Sequence, residues 1–304
     1  MTGNEHFIAD LSMYANNYSF LGRPLSRELG DAVDVVVMGI PYDLATTGRS
    51  GARMGPNGIR QASTNLRWET TRWPWTFSLF DRLSVNDYGD LEFRPGDSHD
   101  MMKIVAAECT KILSAGKALL SFGGDHFVTL PLLRGFNIHH GPLALIHFDA
   151  HTDTDSKGGP FDHGTMFFPA IEERLIDPFK SIQIGIRTQY NYEMHPFKVI
   201  DGAAANDLAV EEIIALVYQC VGDSPAYISF DIDCLDPAYA PGTGTPVAGG
   251  ITTDRALKLI RGLQDLNLVG MDLVEVAPPY DHSDITSLAG ATLALEFLYC
   301  LAAK

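Results

Sequence analysis

Seven stretches of the chain, 33–40, 83–88, 117–122, 143–148, 181–186, 226–230 and 268–276, are short apolar runs rich in Val, Ile, Leu and Phe, each leading into a polar loop. Continuous apolar runs of this length suit strands of a parallel sheet covered on both faces, rather than half-exposed strands with alternating residues. Between them the period changes to that of helices. In 208–221 the residues Val210, Ile213, Ile214, Val217 and Val221 form one stripe. Segments 253–263 and 285–301 are further helices; the second carries more apolar surface than one buried stripe accounts for, which places part of it in the core or at a subunit contact. Strands alternating with helices predict an α/β chain, a three-layer α/β/α arrangement with a central parallel sheet. No internal repeat, low-complexity tract or Pro/Ser-rich linker divides the chain, so residues 1–304 are read as one domain.

Composition agrees with a large core: 46% of residues are hydrophobic and 20% charged, which excludes global disorder. The 38 acidic residues outweigh 22 basic ones, for a formal net charge of −16. That balance argues against a nucleic-acid binder, which needs a basic face, and favours approach of a cationic small molecule. The four cysteines, Cys109, Cys220, Cys234 and Cys300, form no C-x-x-C pair, so neither a disulfide framework nor a thiolate zinc site is indicated. The first residues lack the basic and apolar regions of a signal peptide, and no apolar run is read as long enough to cross a bilayer. A soluble cytoplasmic protein with no membrane partner is expected.

The chemistry lies where the apolar runs stop. Run 117–122 leads to Asp125 and His126; run 143–148 to Asp149, His151 and Asp153; run 226–230 to Asp231, Asp233 and Asp236; and Glu275 lies near the end of run 268–276. Sites in open parallel sheets form beyond the carboxyl ends of the strands. The i, i+2 spacing in D-A-H and D-I-D puts paired side chains on one side of an extended chain. Clustered carboxylates repel one another unless cations intervene, and two divalent ions would balance Asp149, Asp153, Asp231 and Asp233. With His126 and His151 added, the set is oxygen-rich with one imidazole per metal, which suits Mn²⁺ without excluding Zn²⁺, Co²⁺ or Fe²⁺. Such a pair deprotonates a bridging water to a hydroxide nucleophile near neutral pH. Taken singly, these residues have plainer readings: Asp236 before Pro237 as a turn residue, Asp125 as an orienter, and His147 inside its strand as a satisfied core imidazole.

The motifs F-G-G-D-H at 122–126, F-D-A-H-T-D at 148–153 and S-F-D-I-D-C-L-D-P-A-Y-A-P-G-T-G-T-P at 229–246 resemble the three manganese motifs of the arginase/agmatinase family, the ureohydrolases. The likeness runs through nearly the whole chain, including 48–60 and 273–281, and is closest to the bacterial agmatinase branch in D-H-G-T-M-F at 162–167 and W-E-T-T-R-W-P-W at 68–75. The resemblance implies two Mn²⁺ per subunit, one held by His126, Asp149, Asp153 and Asp231, the other by Asp149, His151, Asp231 and Asp233, with Asp149 and Asp231 bridging. It implies that His163 shuttles protons and that Glu275 pairs with the substrate's guanidinium. It further implies a homo-oligomer, trimeric or hexameric, and hydrolysis of a small cationic guanidino substrate, agmatine, to putrescine and urea.

Each of these roles fits the chemistry. A guanidinium carbon is a poor electrophile and needs a metal-generated hydroxide, and the leaving amine needs a proton that a histidine can give. Gly123, Gly124, Gly242 and Gly244 are read as permitting tight turns beside the metals, where a Cβ would intrude. Trp68, Trp73 and Trp75 are read as rim or core packing, or as lining an entrance or a subunit contact. The loop at 154–163, T-D-S-K-G-G-P-F-D-H, departs from the arginase pattern for an α-amino-acid tail. Asp155 and Asp162 there suit a terminal ammonium, while Lys157 keeps a carboxylate-tailed compound such as 4-guanidinobutyrate as the alternative. More distant alternatives are a metal-dependent deacetylase and a catalytically silent relative.

Overall fold

In the computed structural model, which describes residues 19–304, eight strands form one sheet: β1 (Val35–Gly39), β2 (Val85–Asp90), β3 (Ala118–Phe122), β4 (Ala144–Phe148), β5 (Ile182–Ile186), β6 (Lys198–Asp201), β7 (Ala226–Asp231) and β8 (Leu268–Val274). Every pairing is parallel and the order is β2-β1-β3-β8-β7-β4-β5-β6. Seven of the strands lie on the seven apolar runs, within a few residues at each end. The eighth, β6, has no apolar run because it is an edge strand in which only Ile200 is buried. The helices are α1 (Gly55–Ala62), α2 (Ser98–Ser114), α3 (Thr129–His140), α4 (Phe167–Glu172), α5 (Gly202–Asp207), α6 (Val210–Val221), α7 (Thr253–Gly262) and α8 (Ile285–Ala302).

The two faces of the sheet bury separate apolar clusters, as a three-layer α/β/α arrangement requires. Alternate strand residues sort between them: Val35 and Val37 of β1 face one cluster, Val36 and Met38 the other. Helices α6, α7 and α8 cover the first face, α2 and α3 the second. Helix α8 corrects one expectation. At 18 residues with mean hydropathy 1.6 it does reach membrane-spanning length, yet 83% of it is buried inside the protein. It is therefore a core helix, which explains an apolar surface too wide for one stripe. Its buried Glu296 is paired, accepting from Trp75 Nε1 at 2.8 Å and Arg261 Nε at 2.6 Å.

What matters for function is the middle of the sheet. The adjacent strands β3, β8, β7 and β4 end nearly level, with Phe122 beside Leu273, Leu273 beside Phe230 and Phe230 beside Phe148. These are the four strands whose ends carry the acids and histidines. In sequence order β4 follows β3; in the sheet β7 and β8 are inserted between them. That change of direction opens a crevice at the carboxyl edge.

Candidate active site

The residues beyond the four strand ends meet in one place. His126 Nδ1 lies 2.9 Å from Asp153 Oδ2, 3.1 Å from Asp149 Oδ2 and 3.3 Å from Asp231 Oδ2. His151 Nδ1 lies 3.0 Å from Asp233 Oδ2 and 3.2 Å from Asp149 Oδ1. Two donor groups result, and Asp149 belongs to both, one oxygen turned to each. Asp231 joins the first group through Oδ2, while its Oδ1 accepts from the Asp233 N–H at 2.8 Å.

The expectation that D-A-H and D-I-D align their side chains by strand alternation is corrected. Asp231 caps a short 3-10 turn, Ile232–Cys234, and the pairing comes from its carboxylate accepting the N–H two residues on. Asp149 does the same with the His151 N–H at 2.5 Å. Ala150 N–H donates to Asp233 Oδ1 at 3.0 Å, tying the two loops together. Asp153 and Glu275 both have positive φ, 52° and 61°, conformations that side chains rarely adopt outside sites the fold over-determines.

The protonation pattern of His126 follows from its surroundings. Ser229 Oγ–H donates to Asp272 Oδ1 at 2.7 Å, so Ser229 oxygen must accept from His126 Nε2–H, 2.8 Å away. Asp272 is itself fixed by the hydroxyls of Thr129 and Tyr227, each at 2.8 Å. Burial would lower the His126 pKa, but Asp149, Asp153 and Asp231 raise it well above its ordinary value, and Nδ1 is the atom that faces them. Nδ1 has no hydrogen-bond partner, nor have the buried Asp233 Oδ2, Glu275 Oε2 and Asp125 Oδ1.

The charges are correspondingly strained. Burial, then neighbouring Asp233 and Asp149, push Asp231 well above the usual carboxylate range. Burial and Asp149 raise Asp233 to about 6. Asp149 goes the opposite way: burial favours its neutral form, but His147, His126 and His151 outweigh it and hold the group well below normal. Burial would lower His151, yet Asp149 and Asp233 drive it up to about 12.

His163 and Glu275 form a second arrangement against the first. His163 is 8% exposed, so it is no surface loop histidine, and its Nδ1 is 2.7 Å from Glu275 Oε1. The same oxygen accepts from the His126 backbone N–H at 3.0 Å. Thr47, which the sequence reading missed, meets His163 Nε2 with both its N–H at 3.1 Å and its Oγ1 at 2.9 Å. The two contacts serve the two protonation states, the N–H donating to a bare Nε2 and the hydroxyl oxygen accepting from Nε2–H. No sequence signal marked Thr47; it sits in a loop past β1 and reaches His163 only through the fold.

The remaining expectations divide. Asp125 accepts from the Ala45 N–H at 2.7 Å and lies behind the site rather than in either donor group. Asp236 is a turn residue, accepting from Ala238, Gly249 and Gly250. Gly123, Gly124, Gly242 and Gly244 stand, as expected, where a Cβ would intrude, and none of them has positive φ. A Cβ on Gly124 would overlap the Tyr42 carbonyl oxygen, and one on Gly244 would stand 3.4 Å from Glu275 Oε2. Gly124→Ala is therefore expected to cost about 1–3 kcal/mol or more as an overpacking change beside backbone. A thermal melt followed by circular dichroism checks this; a midpoint equal to the parent's would show that the loop can yield. Trp75 stacks on Tyr299 at 5.3 Å, while Trp68 and Trp73 are exposed, and none of the three lines the cavity described next.

A cavity of about 1110 Å³ opens above the donor groups. His151, Asp153, His163, Asp231 and Thr47 form part of its lining, and Asp155, Asp162 and Glu172 add further acid. Among the described residues lining it, Lys157 is the one Lys or Arg. Thr188, Tyr190, Met194 and His195 form a further part of its wall.

Residues 33–300 match the arginase family. An agmatinase from Cronobacter sakazakii is 58% identical over 296 residues, 97% of this chain and 96% of its own length. The X-ray structure of a hypothetical agmatinase from Burkholderia thailandensis superposes with a TM-score of 0.93 at 45% identity, covering 96% of this chain and 93% of that one. Proclavaminate amidino hydrolase from Streptomyces clavuligerus follows at 0.90 and 39%, covering 96% of this chain and 99% of its own. The chain belongs to the arginase family. It is an enzyme, a hydrolase similar over nearly its whole length to agmatinases.

Proposed function

We propose that this hydrolase converts agmatine to putrescine and urea at a pair of divalent cations, Mn²⁺ in the first instance. The observation that carries the reading is His126 Nδ1, without a hydrogen-bond partner, set among three carboxylate oxygens at 2.9–3.3 Å. Buried carboxylates at that spacing repel one another unless positive charge sits among them, and a divalent cation ligated by Nδ1 and those oxygens would supply it. His126, Asp149, Asp153 and Asp231 would hold one ion, and Asp149, His151, Asp231 and Asp233 the other. When bound, such a pair supplies a water that loses its proton near neutral pH, the nucleophile that a resonance-stabilised guanidinium carbon requires.

The chain's own groups do the rest. Glu275 Oε1 is fixed by two donors, so the carboxylate cannot turn, and unpartnered Oε2 is free to accept the guanidinium N–H groups. That grip holds the planar carbon at one orientation, which is worth more to the rate than contact alone. His163 handles a proton at Nε2. Burial alone would lower its pKa, but Glu275 raises it to about 9 in the metal-free protein, so it is protonated at neutral pH and can give that proton to the departing amine. Thr47 Oγ1 accepts the Nε2–H before transfer and Thr47 N–H satisfies the bare nitrogen afterwards.

The substrate's tail is read from the lining. Asp155, Asp162 and Glu172 against one Lys157 favour an ammonium tail over a carboxylate, and the likeness to agmatinases points the same way. Lys157 keeps 4-guanidinobutyrate as the second candidate. The test is urea release from Mn²⁺-loaded protein given agmatine, 4-guanidinobutyrate and L-arginine in parallel. Agmatine is expected to lead in kcat/KM by at least about 100-fold, a difference of about 2.7 kcal/mol at the transition state. A lead for 4-guanidinobutyrate would reverse the tail assignment and keep the rest. No urea from any of them, with two ions bound, would sink the reading.

A further inference from the structure

His147, Gln183 and His195 take no part in the steps above, yet they connect the floor of the site to the wall of the cavity. His147 lies in β4, fully buried, two residues before Asp149. Its Nε2 is 2.9 Å from Asp149 Oδ2 and its Nδ1 is 2.8 Å from Gln183 Nε2. Gln183, fully buried in β5, also places Nε2 2.8 Å from the Thr152 carbonyl oxygen and Oε1 2.7 Å from His195 Nε2. His195 and Tyr190 line the cavity, with their rings 4.7 Å apart.

Donor and acceptor rules permit one arrangement of these groups. The Thr152 carbonyl only accepts, so the amide nitrogen of Gln183, not its oxygen, must face it. The second amide N–H then points at His147 Nδ1, which has to be an acceptor. The His147 proton is thereby placed on Nε2 and donates to Asp149 Oδ2. At the other end the amide oxygen accepts from His195 Nε2–H. Burial and the neighbouring His147 push His195 down to about 4, so it stands there as a neutral imidazole at physiological pH. Three hydrogen bonds run in one direction, from the cavity wall to the carboxylate, and each polarises the next. His147 lies within 4.8 Å of the ligand atoms of His126, Asp149 and Asp153, but both of its nitrogens are engaged.

We propose that Gln183, acting through His147 and seated by His195, is a positioning relay that fixes the Asp149 carboxylate between the two donor groups and so sets metal affinity from the cavity wall. The relay rests on the metal reading above. Asp149 faces one group with each oxygen: Oδ1 is held by the His151 N–H, and Oδ2 is held from the strand side by His147. Removing the Gln183 amide frees His147 to exchange tautomers, and Asp149 then loses one of its two anchors.

The experiment measures Mn²⁺ dissociation constants by chelator competition on metal-stripped full-length protein, with thermal melts of the metal-free forms alongside. Gln183→Leu is expected to raise the dissociation constant of at least one bound Mn²⁺ by about 10–100-fold, the range for loss of an outer-shell partner. Gln183→Glu has nearly the same volume but offers an acceptor where the amide donated. It pulls the His147 proton to Nδ1 and should weaken binding as much as Leu does. His195→Phe, at the half-buried end where folding is not at stake, should weaken binding in the same direction by less. His195→Gln, which keeps an N–H donor, should restore it. Unchanged constants in Gln183→Leu and His195→Phe overturn the relay, as does a lowered metal-free melting temperature with constants unchanged. A wild type that binds no Mn²⁺ overturns the metal reading and the relay with it, so the two failures are distinguishable.

Discussion

Asp149→Ala is expected to leave the chain with fewer than two bound metal ions and to abolish urea release. Asp149 is the residue whose two oxygens face different donor groups, Oδ2 toward His126 and Oδ1 toward His151. Its loss removes a ligand from both sites at once and leaves His147 Nε2–H and His151 N–H without their acceptor. An unpaired buried donor costs about 1–3 kcal/mol. Activity should fall by well over the ~100-fold that loss of an outer-shell partner spans. Asp231→Ala should behave similarly, since it removes the third carboxylate oxygen around His126 Nδ1. Metal analysis of dialysed protein beside a urea assay is the check. Two ions retained in both variants would remove these residues from the ligand set.

His163→Ala is expected to keep both ions and lose about 10²–10⁴-fold in kcat, the usual worth of a positioned acid or base. Glu275→Gln should also keep the ions, but raise KM and lower kcat together, because it weakens the guanidinium grip and the His163 pairing in one change. The pair makes a pH prediction as well. In the metal-free protein the folded pKa of His163, about 9, lies above its ordinary 6.5. The pair therefore contributes stability fully below about pH 6.5, and that contribution is lost as pH rises through about 9. Metal loading adds positive charge and should bring the His163 pKa down toward neutrality, where a proton shuttle works best. Titration of the His163 ring by NMR, with and without Mn²⁺, reads both values. A pKa that does not move on loading would place His163 outside the reach of the ions, and wild-type turnover in His163→Ala would end its catalytic role.

Several elements are legible in the sequence alone because burial writes itself into the chain. Strands covered on both faces are apolar at most positions, so β1, β3, β4, β5 and β7 stand out as apolar runs despite Ser121, His147, Gln183 and Ser229 within them. Edge strand β6 is under no such demand and left no trace. The donor residues were legible for a different reason: clustered Asp and His immediately after buried strands have little else to do. Thr47 and Gln183 were not legible, since a threonine in a loop and a glutamine in an apolar strand carry no pattern until their partners are known. His147 was read as a satisfied core imidazole, and it is satisfied; the identity of its partners is what gives it a task.

By itself the sequence determined the α/β class, the strands that carry chemistry and the residue types at their ends, because hydrophobic periodicity and charge are local properties. Only the tertiary structure decided that β3, β8, β7 and β4 lie side by side with their ends level, for that depends on β7 and β8 returning to pair between strands laid down much earlier. It also decided which atom of each donor faces which, because hydrogen bonds from Ser229, Gln183, Thr47 and the backbone fix tautomers and carboxylate rotations that no spacing along the chain encodes.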